Sequence, residues 1–210
     1  LIGIFFFLVA IKNDKKIFWL LIPVFYFLAF FSKQSPASYL LLPIIFSSIL
    51  YIYYYKKINF VKYFGISSLF CIIFLLIFFY LNKIDINQFL NQYIFFPQTI
   101  AEYRIKNYQF NIYNLFFQFK WIYIFLIPLS IIFLIQIFQN RISEKKEAFL
   151  INIIIIMTSY VLIFHQVITK NFIFIFFLIP FLGSFMHLSL QSEKKYKTLI
   201  SIFLISVTLF

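Results

Sequence analysis

Residues 39–81 read YLLLPIIFSSILYIYYY-KKINFVK-YFGISSLFCIIFLLIFFYL. An apolar run from Tyr39 to Tyr55 meets a basic break from Lys56 to Lys62, and a second apolar run follows from Tyr63 to Leu81. Each run has the length that a helix needs to cross the hydrocarbon of a bilayer, about 17–25 residues. Hydrocarbon offers no partner to a bare amide, so a spanning segment must satisfy its own backbone, as a helix does. A β-barrel would need alternating segments of about 10 residues. Unbroken runs such as Ile151–Ile156 do not alternate. The composition agrees: 64% of residues are hydrophobic and 11% charged, against about 25% charged in a soluble domain.

The same pattern extends outward in both directions. Four further complete spans are expected, at Ile17–Ser32, Trp121–Gln139, Ala148–Phe164 and Phe172–Leu190. Shorter apolar runs, Leu1–Ile11 and Thr198–Phe210, lie at the two ends. The reading is an all-α polytopic transmembrane helix bundle over residues 1–210, a single transmembrane domain. It is expected to be a fragment, with six complete spans and a partial span at each end. The first run has neither a basic leader nor a small-residue cleavage site, so it does not read as a signal peptide. Pro23, Pro43, Pro128 and Pro180 fall inside spans and are expected to mark kinks.

Charge sets the orientation. Twelve of the 18 Lys and Arg residues fall in four alternate loops: Lys12/Lys15/Lys16, Lys56/Lys57/Lys62, Arg141/Lys145/Lys146 and Lys194/Lys195/Lys197. The positive-inside rule places these loops in the cytoplasm. The net charge of +12 is thereby explained without nucleic acid. Cys71 is the only cysteine, which excludes an internal disulfide and a cysteine metal site. No ionisable residue lies mid-span, and ion-coupled transporters usually keep one there.

The opposite, extracytoplasmic side holds the polar residues that can do chemistry. In the long loop of residues 82–120, Asp85 is placed to cap a helix, with Gln88 three residues on. Ile86, Phe89, Leu90, Tyr93 and Ile94 recur at helical spacing. Asn87, Gln88, Asn91 and Gln92 take the other face. This is an amphipathic helix in the interface, expected to end at Pro97. Amides can donate to and accept from sugar hydroxyls; a solvated connector shows the same pattern.

Three candidate sites follow. In Ser32-Lys33-Gln34-Ser35-Pro36, one helix ends near Lys33 and the next starts with Ser35 as cap and Pro36 in the first turn. A cation beside a helix N-terminus suits a phosphate, and a lysine here also snorkels to the interface for its own sake. In His165-Gln166-Val167-Ile168-Thr169-Lys170-Asn171, four polar side chains and a hydroxyl gather in a short outward loop. His165 can relay a proton, while an ordinary polar turn is the plainer alternative. Arg104 and Lys106, near Glu102, can grip a phosphate or be solvated charges. No set of His, Cys or carboxylate has metal-ligand spacing, and no cofactor motif is present.

The chain resembles a polytopic glycosyltransferase of the GT-C class, of the protein O-mannosyltransferase and aminoarabinose-transferase type in its bacterial branch. The resemblance rests on the span ending Ala29-Phe30-Phe31-Ser32-Lys33-Gln34-Ser35-Pro36 and on the amphipathic outward loop. It rests also on His165-Gln166 with Lys170-Asn171 ahead of Phe176-Phe177-Leu178-Ile179-Pro180. It implies transfer of a sugar from a polyprenyl-phosphate donor to a lipid, glycan or protein acceptor on the extracytoplasmic face of a bacterial plasma membrane. Lys33 is then expected to contact the donor phosphate. Gln34, Arg104, Lys106, His165, Gln166, Lys170 and Asn171 are the other expected binding residues. The class's catalytic acid belongs to an earlier outward loop, so no catalytic residue is assigned and the fragment alone is expected to be inactive. A flippase or transporter of lipid-linked saccharides is the competing class. An O-antigen-type polymerase is disfavoured, because Arg104 is the only outward arginine.

Overall fold

The computed structural model describes residues 1–106, 111–138, 146–169 and 175–192, with side chains to 187 in the last stretch. All regular structure in the described residues is helical. In order these are α1 (Ile2–Asn13), α2 (Lys16–Ser32), α3 (Gln34–Tyr55), α4 (Asn59–Leu81), α5 (Ile86–Leu90), a π-helical turn (Asn91–Phe95) and α6 (Phe96–Lys106). Then come α7 (Ile112–Leu115), a 3₁₀ turn (Phe117–Phe119), α8 (Lys120–Phe138), α9 (Lys146–Thr169) and α10 (Leu178–Ser192).

Four of the helical stretches are long and apolar enough to cross a membrane: Gln34–Tyr55, Asn59–Leu81, Ile112–Phe138 and Lys146–Thr169. The α4 helix turns Ile66, Leu69, Phe70, Ile73, Phe74 and Ile77 outward, all exposed. A continuous apolar face of that extent is tolerated in lipid and not in water. The chain is an integral membrane protein.

It divides into two compact units, Leu1–Gln109 and Phe110–Phe210. In the first, α2 packs against α1, α3 and α4. Its core at one end is aromatic. Trp19 and Tyr51 are each 1% exposed, with ring centroids 5.2 Å apart. Phe60 lies 4.6 Å from Trp19 and Phe7 meets it edge-on at 5.7 Å. At the opposite end, Phe31 from α2 and Phe79 from α4 receive the α5 helix. In the second unit, α8 packs against α9 and α10. Gly183 faces the Phe125 ring there: a β-carbon on it would sit 3.4 Å from the ring. Ile132 and Met186 are buried beside the same ring.

Several sequence expectations are corrected. The expected Ile17–Ser32 span is present as the apolar helix Lys16–Ser32, while the described part of Phe172–Leu190 is helical from Leu178. The α2 helix ends at Ser32 because Lys33 is extended (φ −158°, ψ 103°), and Ser35 is extended as well (φ −101°, ψ 116°) ahead of Pro36, as proline requires of its predecessor. Pro180 does not kink a span. It lies in the first turn of α10, where a missing N–H costs nothing; Phe172–Phe174 are outside the described residues. Pro97 does not end the surface helix. The π turn widens the backbone just before it, which relieves the clash of a proline ring with the preceding turn, and the helix continues to Lys106. Finally, α9 does not stop at Phe164 but runs on to Thr169.

Candidate functional site

The break between α2 and α3 is built by backbone rules. Lys33 caps α2 in an extended conformation (φ −158°, ψ 103°), its N–H donating to the Ala29 carbonyl at 2.9 Å. Ser35 is extended, Pro36 follows, and the helix resumes, as expected for a cap and a first-turn proline. The Gln34 carbonyl accepts from the Ser38 hydroxyl at 2.9 Å. The Tyr26 hydroxyl donates to the Ala37 carbonyl, tying the body of α2 to the first turn of α3. Lys33 is exposed and Gln34 half-buried.

Two apolar cavities lie below this break. One, of about 320 Å³, sits between α1, α2 and α3 and is lined by Leu28, Ala29, Ser32, Ala37 and Leu40 among others. Ser32 and Ala37, the residues on either side of the 33–36 break in sequence, are both in its wall. The other, of about 280 Å³, lies between α2, α3 and α4, with Pro23, Phe27, Phe30, Leu41, Phe64 and Cys71 in its wall. Tyr26 and Ile44 line both cavities.

The surface helix is fixed beside the same break. The Asp85 carboxylate accepts from the Asn87 N–H at 2.7 Å and the Gln88 N–H at 3.4 Å, the cap that the sequence led us to expect. The Phe89 ring then packs 4.6 Å from Phe79 and 5.9 Å from Phe31. Tyr93 stacks on Phe89 at 4.8 Å and approaches Phe31 at 6.0 Å. Asn87, Gln88, Asn91 and Gln92 are all exposed. Lys33 and the amide-faced helix therefore share one end of the unit. Arg104 and Lys106 lie in the last turn of α6, exposed. Arg104 is about 16 Å along the helix axis beyond Tyr93, so the structure does not gather these two cations around Lys33.

His165 and Gln166 belong to the second unit and lie in a helix, not a loop. They are 3% and 4% exposed. Gln166 Nε2 is 3.1 Å from His165 Nδ1, and the Thr169 hydroxyl donates to the His165 carbonyl at 2.8 Å. The Gln166 amide oxygen is buried with no hydrogen-bond partner. A buried orphan acceptor of this kind is costly and is the one feature of the pair that asks for a donor. Lys170 and Asn171 lie outside the described residues. The signal that placed the pair in a helix was present: Ser159, Leu162, Ile163 and Gln166 recur at i, i+3, i+4 and i+7 and are all buried.

One residue escaped sequence reasoning. Asp14, in left-handed conformation at the end of α1 (φ 48°), pairs with Lys57. It also accepts from Tyr51 at 3.3 Å and from the Trp19 indole at 3.5 Å. The Lys57 hydrogen bond, with smaller help from Tyr51 and Trp19, holds its carboxyl below the usual carboxylate value, against some desolvation. A single acid among seven lysines in residues 12–62 was the available clue. Among the described residues no cluster of three His, Cys, Asp or Glu side chains could hold a metal.

No known protein family, curated protein or solved structure matches this chain.

Proposed function

We propose that the chain belongs to a membrane glycosyltransferase that moves a sugar from a polyprenyl-phosphate donor to an acceptor on the extracytoplasmic face. One observation supports the reading: exposed Lys33 lies in the break between Ser32 and Ala37, and both of those residues line an apolar cavity. An anionic head on a greasy tail needs that pair of features. The ammonium meets the phosphate and the slot takes the first part of the chain.

In the transfer step the acceptor's hydroxyl oxygen bonds to the sugar carbon, its proton passes to a base, and the bond from that carbon to the phosphate oxygen breaks with its electron pair leaving on the phosphate. A fixed cation at that oxygen stabilises the developing charge. Lys33 supplies it. The exposed amides of Asn87, Gln88, Asn91 and Gln92 offer donors and acceptors to sugar hydroxyls at the same end. Asp85 is occupied in capping its own helix and is not assigned as a base, and neither is Glu102. The base that takes the acceptor's proton is, by the resemblance, a carboxylate, and no residue of this chain is assigned to that role.

The test uses the full-length protein reconstituted with polyprenyl-phosphate sugars. Lys33→Ala is expected to weaken donor binding by about 1.5–3 kcal/mol, the range for a charge-assisted hydrogen bond, or roughly 10- to 150-fold. Lys33→Arg is expected to retain most of it. Unchanged donor affinity in Lys33→Ala, or saccharide transport without transfer, refutes the assignment.

A further inference from the structure

The end of the first unit opposite Lys33 carries a second, unrelated feature. Lys12 closes α1, Lys15 and Lys16 open α2, Lys56 and Lys57 follow α3, and Lys62 lies in the first turn of α4. All six are exposed. The sequence separates them into two groups, and the fold brings the groups together. The Asp14–Lys57 ion pair joins the α1–α2 junction to the α3–α4 junction. Below it, Trp19, Tyr51 and Phe60 pack as one buried cluster. Lys16 also reaches across to the Tyr63 ring at 5.7 Å, and Lys56 lies over Tyr53 at 4.8 Å.

The charges at this end do not cancel. Asp14 is the only carboxylate in the sequence before Asp85, and it is taken by Lys57. Five lysines remain without an acid from this unit's nearby loops. Lys15, Lys16 and Lys62 also stand in first turns or caps, where the helix dipole disfavours cations. Concentrating like charge this way raises the energy of the folded chain unless anions outside it compensate. The level is right for lipid headgroups: Tyr53 is 63% exposed beside Tyr54, Tyr55 and Tyr63, as interfacial aromatics are.

We propose that this lysine-rich end is a docking surface for anionic phospholipid headgroups of the leaflet it meets, so that the protein selects an acidic lipid shell there. The inference stands whether or not the chain transfers a sugar.

The experiment is native mass spectrometry of the whole chain in detergent with equimolar phosphatidylglycerol and phosphatidylcholine. Wild type is expected to retain phosphatidylglycerol in excess. The double variant Lys56→Gln/Lys62→Gln, which leaves Asp14–Lys57 intact, is expected to lose about fivefold of that preference per lysine removed. Lys83→Gln, at the other end, is expected to leave it unchanged. Salt at about 0.5 M on wild type alone is expected to flatten it, which reads the surface without any variant. No preference in wild type, indifference to salt, or an equal loss in Lys83→Gln overturns the proposal.

Discussion

Removing one ring should release the surface helix from the membrane spans. Phe89 is the contact through which α5 reaches both α4, at 4.6 Å from Phe79, and α2, at 5.9 Å from Phe31. Aromatic pairs of this kind contribute about 0.5–1.5 kcal/mol each beyond buried area. Phe89→Ala deletes two pairs to the spans, about 1–3 kcal/mol, which shifts the docked–undocked equilibrium by roughly 5- to 150-fold. Tyr93 still approaches Phe31 at 6.0 Å, which favours the lower half of the range. The assay is hydrogen exchange of residues 86–106 in nanodiscs, resolved by mass spectrometry. Exchange in that segment is expected to accelerate by that factor while α3 and α4 are unaffected. Asn91→Ala, on the exposed face, is expected to change nothing. Wild-type protection in Phe89→Ala, or equal acceleration in Asn91→Ala, refutes the docking argument.

Two further outcomes are expected. Asp14→Asn removes a partly exposed ion pair and should destabilise by about 1 kcal/mol or less. Because the folded carboxyl titrates below its unfolded value, the wild-type advantage is fully present above the unfolded pKa and is lost as pH falls through the folded one. Thermal melts should therefore show a constant gap between the two proteins from about pH 5 to 8 that closes below about pH 4. In the second unit, Gly183→Leu drives a branched side chain into the Phe125 ring, 3.4 Å from the β-carbon position. It should cost about 1–3 kcal/mol by overpacking in a detergent unfolding assay, and Gly183→Ala much less.

What the sequence disclosed was whatever depended on local chemistry. Apolar runs bounded by lysines located the long helices, because a span must be continuous and its flanks must be polar. Asp85 announced its cap, because the residue types that accept from a helix's first N–H groups are few. The Ser35-Pro36 break was readable for the same reason. Sequence failed where local rules were overridden by packing. Pro97 looked like a stop, but one π turn absorbs it. His165 and Gln166 looked like loop because they are polar, yet Leu162, Ile163, Val167 and Ile168 carry the helix past them in a buried stripe. Pro180 lies at a helix start rather than its middle, a difference of register that composition does not encode. The clustering of lysines around Asp14 needed the fold, since Asp14 and Lys57 are 43 residues apart.

The proposed transfer requires the Lys33 turn and the amide-faced helix to share one side of the membrane, with the Asp14–Lys57 pair on the other. Single cysteines in a Cys71→Ser background test this directly in intact cells with a membrane-impermeant maleimide. Gln34→Cys and Gln88→Cys are expected to label at once, and Asn13→Cys and Asn59→Cys only after permeabilisation. Labelling of all four in intact cells, or the reverse order, contradicts it.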